Sequence, residues 1–357
     1  MKSIKYTLFT ILLLGASYKG AKTQTYYPAT FLLPDGQSWT MNIYNHTSAT
    51  VNTPKGNSVS VLLFGDDWTS FQKNDMKNAI LNYYDDRIIF EEEATTMYNC
   101  HAYAWGGGTT YWMNPPNQAQ YWSDGSYVSI TSTPPVGSKV RYVSDDHSAV
   151  TTTTVGYFSS KWGPGPQFKH LIADNPYDAK TLTYYIPRPI LTVPSCLCSN
   201  LGLSVSVVLA PTGFTWNKST NINLSDTTGT PVTAYAVGGS GTGWISVMLG
   251  NDELVKYNNI SVAGSIVSGD FSDGGAWQPL YTVNWVGGNT VTAKIDYPGT
   301  NTYSWSLISS SGYVSWSGSS TILSFDMSSA TAATFRVTVN RISPCTGSVT
   351  SDFNFIK

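Results

Sequence analysis

From Gln24 to about Gly65 apolar and polar residues alternate weakly, with turn signals at Pro34-Asp35-Gly36 and Lys55-Gly56-Asn57. This pattern predicts short strands or an extended N-terminal arm over 24–65, with a propeptide as the other reading. The period changes at Trp68. Thr69 or Ser70 can cap a helix there, and Phe71, Met76, Ile80 and Leu81 recur at roughly helical spacing as far as Arg87. Ile88-Ile89-Phe90 reads as a short strand, and Glu91-Glu92-Glu93 as a solvated acidic patch. A second helix is expected from Cys100, behind the capping residue Asn99, to the glycines Gly106-Gly107-Gly108. An aromatic loop follows through Tyr111-Trp112 and Tyr121-Trp122, interrupted by Pro115-Pro116. Then the period shortens to two. Pro134 to Val143 is a turn feeding a strand, and Ser144-Asp145-Asp146 is a second turn. His147 to Thr154 is a β-branched strand, and Tyr157 to Ser160 is its antiparallel neighbour.

Tyr184 to Pro194 carries Pro187, Pro189 and Pro194 and reads as a stiff linker. Beyond it, short alternating strands recur with glycine-rich punctuation: Phe214-Thr215-Trp216, Ile222-Asn223-Leu224, Val232 to Ala236 and Trp244 to Met248. The same texture returns in Tyr303 to Leu307, Tyr313 to Trp316 and Thr334 to Val339. Two all-β sandwiches are expected, over 200–275 and 276–357. Their tryptophans read as core rather than as sugar-stacking platforms.

Composition narrows the functional classes. Only 12% of the 357 residues are charged and the net charge is −2, so neither nucleic acid nor an anionic membrane surface is indicated as a partner. Tyr, Trp, Thr, Ser, Gly and Asn are abundant, which suits extracellular β structure. Lys2 and Lys5 precede an apolar run from Tyr6 to Ala16 that is too short to cross a bilayer, so residues 1–23 read as a secretory signal peptide. The expected location is secreted, extracellular or periplasmic, as a monomer with no membrane insertion after signal cleavage. No zinc-binding spacing occurs, and no metal or organic cofactor is expected.

Of the four cysteines, Cys100 draws attention. In the first turn of a helix a thiolate is favoured by orphan N–H groups, as a nucleophile requires. The plainer reading is a small buried hydrophobe. His147 opens a strand, and a histidine there can meet a helix-borne cysteine where helix packs on sheet, taking its proton while a third polar group orients the ring.

Asn99-Cys100-His101, then Val136 to Tyr142, then Asp146 to Val150, resembles the papain-like cysteine hydrolases of the NlpC and CHAP type in order and spacing over about residues 66–190. Ser138 stands where that family commonly has Asp, and His101 where many relatives have a small residue. The resemblance implies an α+β papain-like (NlpC/CHAP-like) domain, followed by immunoglobulin-like or PKD-like modules of the kind common in secreted Bacteroidetes proteins. It implies Cys100 as nucleophile and His147 as base, with Ser160, or alternatively His170, as the third residue. Tyr98, Asn99 and Trp162 fall in the oxyanion and substrate region. The expected activity is cleavage of amide or peptide bonds in a peptide, peptidoglycan or protein substrate, with acyl transfer or deamidation as variants. The alternative is a non-enzymatic adhesion or binding protein with a degenerate hydrolase domain.

Overall fold

A computed structural model describes residues 26–198, 202–238, 241–263, 267–297, 300–343 and 347–357. The signal-peptide segment 1–23 lies outside the described residues. The segment expected as an arm or propeptide is two antiparallel hairpins: β1 (Tyr27–Leu32) with β2 (Ser38–Ile43), and β3 (His46–Asn52) with β4 (Ser58–Phe64). Both are built into the core. Phe31 and Leu33 pack with Trp68 and Met76, and Val59 and Val61 pack with Tyr98 and Trp105.

Helix α1 (Ser70–Tyr84) starts where its cap requires. Thr69 and Gln72 form a reciprocal capping box, and Met76, Ile80 and Tyr84 make the buried stripe. Phe71, in the first turn, points away from that stripe and is exposed.

The site region is one seven-stranded antiparallel sheet. Its strands are β5 (Ile88–Glu92), β6 (Tyr127–Ile130), β7 (Lys139–Tyr142), β8 (His147–Thr151), β9 (Tyr157–Lys161), β10 (Gln167–Leu171) and β11 (Leu182–Pro187), in the order β5-β10-β9-β8-β7-β11-β6. The register pairs Tyr142 with His147, Val150 with Ser159, and Ser160 with Phe168. Because strand side chains alternate between faces, Tyr142, His147, Ser160 and His170 share one face, and Ser148, Ser159 and Lys161 the other.

Residues 190–263 form two facing four-stranded sheets around Leu197, Val205, Trp216 and Ile245. Ile130 and Ile186 from the first region join that core, and Asp252 accepts hydrogen bonds from Thr131 and Ser132. The proline-rich junction is therefore a packed seam rather than a free tether. Residues 268–356 form a five- and a four-stranded sheet closed over Phe325, Phe335 and Phe355. Trp216 and Trp305 are core residues, whereas Trp277 and Trp285 are exposed.

The expected α+β papain-like fold class is overturned. Strand accounts for 53% of the chain and helix for 10%, so the protein is predominantly all-β, with two β-sandwiches in its C-terminal half. The physical reason lies after Cys100. The expected helix there becomes one wide turn of π-type helix, Ala102–Gly106, ended by Gly107 in the left-handed conformation at φ 60°. Gly106 and Gly108 lie so close to the Tyr111 ring that a side chain at either would collide with it. Beyond them, residues rich in Thr, Val and Tyr favour strands.

Candidate active site

Asn99 holds the turn that carries Cys100. Its Oδ1 accepts from the Ala102 N–H (3.1 Å) and the Met113 N–H (3.2 Å), and its Nδ2 donates to the Met113 carbonyl (2.8 Å). An amide engaged in this way serves as a cap, and its part in the expected oxyanion region is limited to positioning Cys100. The turn is too short for a helix dipole to matter, so positive charge near Cys100 has to come from side chains.

It comes from His101 and Lys161. Cys100 is a free, buried thiol. The His101 Nε2 lies 3.0 Å from Asp146 Oδ1, and its Nδ1 lies 2.9 Å from Ser148 Oγ. Burial works against a charge on this ring. The neighbouring Cys100 and the Asp146 carboxylate outweigh it and raise the His101 pKa to about 10. His101 is thus an imidazolium at neutral pH. Lys161 lies on the same face of the sheet, within electrostatic reach of Cys100.

His147 is held differently. Its ring is fully buried and neither nitrogen has a hydrogen-bond partner. The Tyr177 ring stacks on it at 3.7 Å and 9°, and Tyr142 meets it edge-on at 4.8 Å and 78°. Burial, with the nearby His170 and His101, pushes its pKa well below the ordinary histidine value. No hydrogen bond joins Cys100 to His147. The turn bearing Cys100 packs on the Ser148 face of β8, through His101 and through Trp105 Nε1 (2.9 Å from Ser148 Oγ), whereas His147 projects from the other face. Tyr177 covers His147, and burial, with the nearby Cys100, drives its phenol pKa up.

Ser160 does not reach His147. Trp162 Nε1 donates to Ser160 Oγ (3.0 Å), whose hydroxyl bonds His170 Nε2 (2.8 Å), and His170 Nδ1 donates to the Leu171 carbonyl (2.9 Å). This relay satisfies a neutral His170, and burial lowers its pKa to about 4. Ser160, His170 and Trp162 therefore form a buried structural chain. The sign of its pH dependence follows. Below the unfolded value near 6.5 the unfolded chain takes up a proton that folded His170 refuses, so stability is intact above about pH 6.5 and declines as pH falls toward 4. The loss attributable to His170 is of order 3 kcal/mol at most. Urea unfolding at pH 7 and pH 5 should show the decline, and His170→Gln should flatten it. Equal slopes in the two proteins would refute the assignment.

Tyr98, the other residue of the expected oxyanion region, donates its hydroxyl to Glu92 (2.8 Å) instead. His101, Asp146, Lys161 and Tyr177 complete the cluster and were missed in the sequence reading. The period-two alternation of β8 could have found Asp146, which shares a face with Ser148 and Val150. Among the described residues, no group of three His, Cys, Asp or Glu side chains is placed to hold a metal. The site is closed: Cys100 is 4% exposed, His101 2% and His147 1%. Two clefts, of about 350 and 560 Å³, are lined by other residues.

No protein-family model matches the chain, and no characterised protein does. Ten solved chains match, among them the crystal structure of the Protocadherin GammaB4 extracellular domain. That chain is 10% identical, with 93% of the present chain and 64% of the cadherin covered, at a TM-score of 0.16. The present chain thus spans somewhat less than two thirds of it, and so low a TM-score establishes no shared fold. With no family model matching and a strand-dominated architecture, the resemblance to papain-like NlpC or CHAP enzymes is withdrawn. Among the described residues no helix is long and apolar enough to cross a membrane.

Proposed function

We propose that the chain is a secreted cysteine hydrolase that cleaves amide or peptide bonds, in peptidoglycan peptides or in extracellular protein. One observation carries this reading: a buried free thiol stands beside an imidazole that a carboxylate holds in its charged form. Perturbed groups gathered at one place are a functional signal. His101, tied to Asp146 and adjacent to Cys100, is the proton-transfer partner of the thiol. His147, neutral and buried on the opposite face of the sheet, stays outside the reaction. Cys100 Sγ, its proton held on the His101 imidazolium, attacks the carbonyl carbon, and the acyl-enzyme forms as the C–N bond breaks and the amine leaves with that proton. Water then attacks the acyl carbon, His101 takes its proton, and the thiolate departs to restore the pair. The Cys100 backbone N–H, first in its turn and outside the helical ladder, is a donor for the oxyanion.

A second reading, a non-enzymatic binding protein, is favoured by the closure of the site. Incubating the secreted form with peptidoglycan fragments and with unfolded protein, followed by mass spectrometry of the products, separates the two. New carboxyl and amino termini are expected. Unchanged substrates, together with a Cys100 that no acylating probe labels, would leave the binding protein.

A further inference from the structure

Trp105, Gly106 and Gly107, at the end of the turn that follows Cys100, form one wall of a cleft of about 350 Å³. Its floor is aromatic. Trp105, Tyr121 and Tyr127 are buried and pack on one another with ring centres 5.6 to 6.2 Å apart. Its mouth is open, because Asn52 and Pro54, at the β3–β4 turn, and Gly107 are exposed. Lys139 of β7 also lines it and is half-buried. Among the described residues the Lys139 side chain makes no ion pair and no hydrogen bond. We propose that this cleft binds a small carboxylate with a flat apolar body, the carboxylate paired with the Lys139 ammonium and the body set against the Trp105, Tyr121 and Tyr127 rings. Such a carboxylate belongs to a free aromatic acid or to the C-terminus of a peptide. The proposal does not depend on Cys100 being reactive.

Three observations support it. First, taking an ammonium partly out of water costs free energy, which a carboxylate or a set of carbonyls ordinarily offsets. Lys161 is the compensated case, with three carbonyl acceptors. At Lys139 burial lowers the pKa, and no charge or hydrogen bond opposes it. A ligand carboxylate supplies the missing partner through a charge-assisted hydrogen bond. Second, the carboxylate bonded to the cleft wall is already engaged. Asp124 accepts from Thr53 Oγ1, from Asn57 Nδ2 at 3.2 Å and from the Ser126 N–H at 2.7 Å. Lys55 Nζ adds a bond to the Asp124 carbonyl at 3.0 Å. These ties hold the β3–β4 turn in place, so the mouth is formed before a ligand arrives and little ordering is left for binding to cost. Third, the floor presents carbon rather than polar atoms. Trp105 Nε1 is spent on Ser148 Oγ at 2.9 Å, and the Tyr121 hydroxyl is paired with Tyr111. One cation above a set of rings selects an anionic head on an apolar body.

The test titrates 3-phenylpropionate and its uncharged amide, 3-phenylpropanamide, against the full secreted chain and its Lys139→Met and Lys139→Arg variants, read by ligand-observed NMR. The acid should bind the parent with a Kd of about 1 mM or below, and the amide about tenfold more weakly. Lys139→Met should weaken the acid about tenfold and leave the amide within about twofold, because only the charged head meets the ammonium. Lys139→Arg keeps the cation and should keep the preference for the acid. Lys139→Gln stands in if the methionine variant fails to fold. An acid bound no better than the amide, equal weakening of both probes by Lys139→Met, or binding of neither probe overturns the site. A peptide ending in phenylalanine, with its C-terminus free or amidated, separates the two sources. Tighter binding of the free-ended peptide than of 3-phenylpropionate marks a chain terminus, and weaker binding marks a free acid. Binding is read without turnover, so Cys100→Ala should bind the acid as the parent does. The cleft and the hydrolase reading therefore fail separately.

Discussion

Replacing Cys100 with alanine should reduce turnover to background and leave the fold intact. Loss of a nucleophile in a covalent mechanism costs on the order of 10⁴ to 10⁶ in kcat, because no other group forms the acyl-enzyme. The fold should tolerate the change. Cys100 is a small buried side chain whose neighbours are held by other contacts: Asn99 by Met113 and Ala102, and His101 by Asp146 and Ser148. His101→Ala should fall nearly as far, because His101 is the imidazole at the thiol. The double variant should be scarcely worse than either single one, since members of one catalytic unit act non-additively. Initial rates on a peptide substrate, measured beside thermal unfolding, separate the two effects. Undiminished turnover in the Cys100→Ala protein would sink the mechanism. So would a double variant whose loss equals the product of the two single losses, because the residues would then act independently.

Local structure was the legible part of this sequence, and long-range placement was not. Thr69 with Gln72 at its capping position, and the alternation of β7, β8 and β9, are short-range signals, and the corresponding elements are present. Asn99 and the glycines at 106–108 likewise bound the turn that holds Cys100. The expectation of an α+β domain failed because a full helix was inferred from seven residues between a cap and a glycine run. Seven residues make barely two turns, and the Tyr111 ring over Gly106 and Gly108 leaves no room for more. The pairing of Cys100 with His147 followed motif order rather than strand geometry. Alternation turns Asp146 and Ser148 toward the Cys100 turn and His147 away, so the first partner at the thiol is His101. Tyr177 could not have been found. It lies thirty residues beyond His147, in a segment with no periodic pattern, and reaches the site only because Arg87, Asp145 and Ser144 pin its flanks. Ser160 looked available in the sequence because its partners, Trp162 and His170, are brought to it by the β9–β10 pairing.

Lys161→Met should be the most destabilising single substitution in the site region, by about 3–5 kcal/mol. Charged side chains are rarely buried in full without a compensating set of bonds, and Lys161 is 0% exposed. Its Nζ donates to the carbonyls of Thr95 (3.0 Å), Gly163 (2.8 Å) and Gly165, and lies 5.1 Å from the centre of the Tyr98 ring. Burial pulls its pKa down to about 7, opposed by the charges of Cys100, Asp67 and Glu92. Two of the three carbonyls belong to the tight turn between β9 and β10, and the third lies on the approach to Cys100. The ammonium therefore ties the turn to the segment carrying the nucleophile. Methionine matches the length and the apolar stem but donates nothing, so three buried carbonyls lose their partner, at about 1–3 kcal/mol each before relaxation. Water entering the gap would recover part of this, hence the lower total. A fall in Tm of roughly 10 °C is expected for a region of this size. Activity should be lost at temperatures where the wild type still works, because the same turn sets the position of β10. Trp68, whose Nε1 donates to the Pro164 carbonyl (2.9 Å), holds the tip of the turn by itself and gives an internal control. Trp68→Phe should cost about 1–2 kcal/mol, since it removes one neutral donor. If Lys161→Met melted no lower than Trp68→Phe, the ammonium would contribute no more than a single neutral hydrogen bond, and its burial beside Cys100 would need a catalytic explanation instead of a structural one.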